Sequence, residues 1–216
     1  SVLVAFFFAC EWARTPGAFA GFMAAAGAML LLALLQESHR LAFRDELTGL
    51  PGRRALEERL RGLGHVYTIA VVDVDHFKPF NDTHGHDIGD QVLRLVAARL
   101  AEVAGGGMAY RYGGEEFVVL FPQRRLGDAE PHLEEERRSI EGYRMAVRAP
   151  DRPRDRKAGA ARRGAEAPEK TLSVTVSMGV ADADGRERGL KTAAVMKAAD
   201  EALYRAKQAG RNRICR

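Results

Sequence analysis

Residues 66–74 read Val-Tyr-Thr-Ile-Ala-Val-Val-Asp-Val, and Asp75 follows. This nearly continuous apolar run is rich in β-branched residues and reads as a buried strand. Its acids come only at the end. Asp73 and Asp75 are two residues apart, so a strand points both to one face. Ionised and partly desolvated there, they need a cation. Magnesium suits them, because it takes oxygen ligands from one or two carboxylates plus substrate phosphates. The competing reading is a pair of solvated carboxylates.

Moving outward, Arg53–Leu63 places Ala55, Leu56, Leu60 and Leu63 at helical spacing, with Gly64 as a stop. Ile88–Val103 gathers Val92, Leu93, Val96, Ala97 and Leu100 on one helical face. Met108–Tyr112 and Glu116–Phe121 flank Gly113-Gly114 and read as a tight hairpin. Pro131–Val147 is expected to be helical. Leu172–Val180 alternates strictly and reads as one strand, Leu190–Ala209 as an amphipathic helix stopped by Gly210, and Ile214 as part of a short last strand. Arg148–Lys170 carries eight basic and four acidic residues and almost no apolar anchor, which reads as a solvated loop. Strands separated by helices, plus one hairpin, predict an α/β fold with a mixed sheet.

The N-terminal part differs. Among the first 35 residues only Glu11 and Arg14 are charged, and Gly17–Leu35 is an uncharged run of transmembrane length. We expect a truncated span at Ser1–Cys10, a loop at Glu11–Pro16 and a transmembrane helix at 17–35; a buried core helix is the alternative. Residues 36–46 then form a connector helix, and 47–216 the main domain. His39, Arg40 and Arg44 after the run put that domain in the cytoplasm. Anchoring at a membrane through residues 1–35 is the expectation. Cys10 and Cys215 stand at opposite ends, so no disulfide framework is expected. The net charge is +4, and no basic patch is interleaved with aromatics, so nucleic acid is not an expected partner.

Further polar clusters bear on chemistry. Glu115 and Glu116 follow the Gly113-Gly114 turn, where glycines let a backbone approach a phosphate or base. An exposed polar turn is the simpler reading. Asn81, Asp82, Gly85, His86, Gly89 and Asp90 make a dense polar loop leading into a helix. Asp90 reads either as a helix N-cap or, with Asn81, as a reader of a guanine edge. Lys78, Lys207 and Arg211 offer positive charge to phosphates; the last two are four apart and equally suit a helix C-terminus.

Taken together, Asp45-Glu46-Leu47-Thr48-Gly49-Leu50, Asp73 to Lys78, Asn81-Asp82 through Gly89-Asp90, Arg111 to Phe117 and Ala199 to Asn212 resemble the GGDEF family in order and spacing. The resemblance runs from about Leu41 to the C-terminus. It implies a palm-like fold, similar to nucleotide cyclases and polymerase palms, with a mostly antiparallel central sheet flanked by helices. It implies a diguanylate cyclase, which condenses two GTP into cyclic di-GMP and two pyrophosphates between the two domains of a homodimer. Asp73, the Val74 carbonyl, Glu115 and Glu116 would hold Mg2+ (or Mn2+), and Glu115 or Glu116 would be catalytic. Asn81 and Asp90 would read guanine. Phe77, Lys78, Gly113, Gly114, Lys207 and Arg211 would bind the rest of the substrate. Family members often carry an Arg-x-x-Asp product-inhibition site before the signature; Ala104-Gly105-Gly106-Gly107 stands there, so no inhibitory site is expected. The alternative function is an inactive module that binds GTP or cyclic di-GMP as a sensor or scaffold.

Overall fold

The computed structural model describes residues 4, 7, 8, 16–146, 171–184 and 192–216. Two compact units separate at Arg44/Asp45. The first contains helix α1, Pro16–Phe43. Its Met29, Leu30, Leu31, Leu32, Leu34 and Leu35 are all exposed. Among the described residues, no helix is long and apolar enough to cross a membrane. The transmembrane helix expected at 17–35 is therefore not supported. The helix continues through the polar stretch 36–40 without a break. The expected connector at 36–46 is largely the end of this same helix. The expected span at Ser1–Cys10 and the charged loop at 148–170 lie outside the described residues, save positions 4, 7 and 8.

The second unit is built on a five-stranded sheet. Its strands are β1 Val66–Val74, β2 Met108–Gly113, β3 Glu116–Pro122, β6 Val176–Asp184 and β7 Ile214–Cys215. They lie in the order β2-β3-β1-β6-β7. All neighbours are antiparallel except β6 and β7. A second sheet pairs β4, Met145–Ala146, with β5, Thr171–Leu172. The helices are α2 Arg53–Arg61, α3 Phe77–His84, α4 His86–Ala101, α5 Leu126–Gly142 and α6 Thr192–Gln208.

Strand β1 is apolar up to its end, Thr68 apart, because it is central and covered on both faces. Ala70, Val72 and Val74 pack with Val92, Val96 and Leu100 of α4 and Leu133 and Ile140 of α5. Tyr67, Ile69 and Val71 pack on the opposite side with Leu56 of α2 and Leu203 of α6. Each fully buried Val or Leu contributes about 1.5–3 kcal/mol. The alternation places Asp73 on the α2/α6 side. Helix α6 lies so close to β6 that a Cβ on Gly179 would collide with the Leu203 backbone nitrogen and the Ala199 carbonyl.

Three expectations need correction. The polar loop expected around Asn81 contains α3, an eight-residue helix ended by Gly85. Helix α5 begins at Leu126, before Pro131, because Asp182 of β6 accepts a hydrogen bond from the Leu126 N–H at 3.1 Å and caps it. The single strand expected at Leu172–Val180 is two: β5 joins β4, β6 joins β1, and residues 173–175 lie between them.

Candidate active site

The site forms where β1 ends. Antiparallel register sets Asp73 opposite Glu116 on β3 and opposite Ser177 on β6. Opposed residues share a face, so the Asp73 and Glu116 carboxylates are cross-strand neighbours. The Gly114-Glu115 turn connects β2 to β3, with a register irregularity between Arg111 and Gly113. Gly114 has φ +26°, a backbone that side chains disfavour. The Glu115 carbonyl accepts a 3.3 Å hydrogen bond from the Val74 N–H, docking the turn on the end of β1.

Lys207 of α6 places its Nζ 2.9 Å from Asp73 Oδ2. Burial pushes the Asp73 carboxyl above its ordinary pKa; Lys207 pulls it back, and Glu116 and Asp75 push it further up. Glu115 is raised by burial and by Asp73, with Lys207 opposing and Glu116 adding to the rise. Three carboxylates thus crowd one strand end around a single ammonium group. No three His, Cys, Asp or Glu side chains among the described residues gather into a ready-made metal cage. The donor set still fits a hard divalent cation, which needs only one or two carboxylates when substrate phosphates and water complete its shell. Lys207 stands in for positive charge at that position.

Asp75 departs from expectation. It lies on the same face as Asp73, but donors surround it: Ser177 Oγ at 2.6 Å, Thr175 Oγ1 at 2.7 Å and the Asn212 N–H at 3.0 Å. Its charge is met by hydrogen bonds and needs no cation.

Asn81 sits on α3 and Asp90 on α4. The Asn81 Oδ1 is buried and has no hydrogen-bond partner. A Cβ on Gly89 would collide with it, so glycine there makes room for the amide directly beside Asp90. A buried acceptor without a partner is costly unless a ligand supplies the donor. Phe77 is packed in the core against Val74 and Leu93, so its side chain cannot reach a substrate; only its backbone amide is available. That amide opens α3, whose first turn has no side-chain cap and favours anions. Lys78 is exposed on the same turn. Gly113 closes β2, and Arg211 lies in the turn after α6.

One contact escaped the sequence reading. Arg111 donates to Asp45 Oδ1 at 3.1 Å and also to the Gly114 carbonyl. Asp45 accepts in turn from the Thr48 N–H and Oγ1. The signature turn is thereby tied to the start of the domain. The charges are 66 residues apart, and no local pattern announces the pairing.

The positions where an Arg-x-x-Asp inhibitory site would stand are occupied differently. A Cβ on Gly105 would collide with the His132 ring, and one on Gly107 would stand 2.8 Å from Phe121.

A palm-like sheet with carboxylates at the end of its central strand and in the adjacent hairpin defines a nucleotide-cyclase type of domain. The model of the GGDEF family, described as "Diguanylate cyclase, GGDEF domain", matches residues 42–162 and 154–213. The chain belongs to this family. It is 39% identical over 188 residues to the response regulator PleD of Caulobacter vibrioides, covering 83% of this chain and 37% of PleD. It is equally 39% identical over 188 residues to the diguanylate cyclase DgcP of Pseudomonas aeruginosa, covering 83% of this chain and 25% of DgcP. The chain thus spans only about a quarter to two fifths of these relatives. Among solved structures, the coiled coil and GGDEF domain of DgcB from Caulobacter crescentus, in complex with c-di-GMP, superposes with a TM-score of 0.74 at 34% identity, covering 89% of this chain and 94% of that one.

Proposed function

We propose that the chain is a diguanylate cyclase joining two GTP molecules into cyclic di-GMP with release of two pyrophosphates. The crowding of Asp73, Glu115 and Glu116 around Lys207 carries this reading. Carboxylates crowded together at a strand end are a liability to the fold and an asset to a metal-dependent phosphoryl transfer. Asp73, the Val74 carbonyl, Glu115 and Glu116 would hold magnesium. Once bound, magnesium would offset phosphate charge and make the attacking hydroxyl more acidic.

The chain's own groups supply the rest. Glu115, in the hairpin turn beside Asp73, would accept the 3′-hydroxyl proton. Asn81 and Asp90 read the guanine edge. Lys78, Lys207, Arg211 and the amides that open α3 balance the triphosphate. Each 3′-oxygen attacks the α-phosphorus of the other GTP. The bond to the β-phosphate breaks, and pyrophosphate leaves with its electron pair. One site holds one GTP, so two copies must face each other, as GGDEF cyclases do when they work as dimers. The exposed apolar side chains of α1 support pairing of the copies, since such a surface favours being covered. The reaction draws on cytoplasmic GTP, which puts the catalytic domain in that compartment.

Incubation of the chain with GTP and magnesium, followed by chromatography, tests the reading. Cyclic di-GMP should form, and Glu115→Gln should lower turnover at least about a hundredfold while the circular dichroism spectrum persists. GTP binding without product would favour the inactive sensor module instead.

A further inference from the structure

We propose that Asp75 is a positioning residue that fastens the turn bearing Arg211 to the end of β1. The inference rests on the cyclase reading for its kinetic consequence, and on geometry alone for the fastening.

Three segments distant in sequence meet at this carboxylate. Asp75 Oδ1 accepts from Ser177 of β6, and Oδ2 accepts from Thr175 and from the Asn212 backbone N–H. The Asp75 N–H donates to the Thr175 carbonyl at 2.9 Å. Asp75 is 6% exposed, so these are bonds shielded from water.

The turn needs such support. Arg211 has φ +63° and Asn212 φ +48°, two consecutive non-glycine residues in the left-handed region. Side chains disfavour that conformation, and it persists where surrounding contacts over-determine it. The Arg211 N–H closes on the Ala206 carbonyl at 3.0 Å. The Asn212 side chain is held from the other direction. Its Oδ1 accepts from Arg137 Nη1 at 2.6 Å, and its Nδ2 donates to Glu141 Oε1 at 2.7 Å. Asn212 is therefore gripped through its backbone by the end of β1 and through its side chain by α5. Arg211, one residue earlier, has its backbone set by both.

The consequence is a division of labour between two acids. Asp73 faces Lys207, Glu115 and Glu116, whereas Asp75 sets where Arg211 stands relative to them. A group that only accepts hydrogen bonds is replaceable by an amide. The Asp75→Asn side chain keeps an oxygen for Thr175 and the Asn212 N–H, and its NH2 can donate to the Ser177 oxygen. A metal carboxylate is not replaceable in that way.

The test compares Asp75→Ala, Asp75→Asn, Arg211→Ala and the Asp75→Ala/Arg211→Ala double variant with GTP and magnesium. Asp75→Ala should raise KM for GTP about tenfold, the loss expected for one charged contact. Asp75→Asn should stay within about threefold of the parent, and the double variant should be no worse than Arg211→Ala alone. The magnesium dependence should not change. Additive losses in the double variant would overturn the proposal. So would an Asp75→Asn variant with weakened magnesium dependence, which would make Asp75 a metal ligand.

Amide exchange at Asn212 gives a readout independent of turnover. It should accelerate at least about tenfold in Asp75→Ala and remain slow in Asp75→Asn; unchanged exchange in Asp75→Ala contradicts the fastening. If Asp75→Ala does not fold, Asp75→Ser takes its place, since its shorter side chain cannot span to the Asn212 N–H, and slow Asn212 exchange with an unaltered KM there refutes the inference. A parent chain that makes no cyclic di-GMP sinks the cyclase reading, and exchange still decides whether Asp75 holds the turn.

Discussion

Asp73 and Asp75 are the same side chain, two residues apart on one face of one strand end, and both are nearly buried. Asp73 has one cationic partner and two glutamates nearby, and its carboxyl is pushed up. Asp75 has three donors. The difference extends to their surroundings. Behind Asp75, Asn212 leads to Arg137, which pairs with Glu134 at 2.8 Å and Glu141 at 2.9 Å. Hydrogen bonds from Arg137, with smaller help from Arg138, pull Glu134 down to about 2 against its burial. One region is electrostatically satisfied and rigidifies; the other is left in conflict until ligands arrive. On the proposed reading, function sits in the conflict, and the scaffold that aims it sits beside it.

The largest expected break in this comparison is Asp73→Asn. It should cost about a thousandfold or more in turnover, since it removes a group central to the charge balance of transfer, whereas steady-state rates with Asp75→Asn stay near those of the parent. Equal losses from the two changes would erase the distinction.

Packing sets the next effect. Gly179→Ala forces a Cβ onto the α6 backbone, which cannot step aside as a flexible side chain would. Urea unfolding should show a loss of about 1–3 kcal/mol. The displaced α6 should also weaken the Lys207–Asp73 pair, so an unchanged midpoint would contradict the close approach of helix and strand.

The pH response should differ between the regions in sign. Glu134 has a folded pKa below its unfolded value. Its contribution to stability is present above about pH 4.5 and is lost as pH falls toward about 2. Glu134→Gln should flatten the thermal-unfolding profile in that window. Glu115 is shifted upward, so its contribution is present at acid pH and lost as pH rises through its folded pKa. Glu115→Gln should therefore stabilise the metal-free chain at neutral pH, by a modest ~0.5 kcal/mol given its partial exposure. A lower melting temperature for that variant would show that Glu115 is not in conflict.

The sequence carried much of the fold because its strongest signals are local. Strand β1 and the Gly113-Gly114 hairpin follow from apolar runs bounded by turn residues, and both stand where expected. Helix α3 was hidden by Pro79, Asn81 and Asp82, which favour turns when read alone. The start of α5 was hidden because its cap, Asp182, comes from a strand 56 residues on. The break before β6 was hidden because alternation of Leu172, Val174 and Val176 continues across it. The candidate site shows the same division. Asp73, Glu115, Asn81 and Asp90 were legible as candidates from motif order, and the fold brings Lys207 beside Asp73. The role of Asp75 was not, because its partners lie 100, 102 and 137 residues away. Two neighbouring acids look alike until the fold assigns each its company.

The most direct test of the central claim runs Asp73→Asn and Asp75→Asn beside the parent chain, with GTP and magnesium, and chromatographs the nucleotides. Cyclic di-GMP should form with the parent and with Asp75→Asn, and none above background with Asp73→Asn. Product from Asp73→Asn, or no product from the parent at concentrations where it is dimeric, would contradict it.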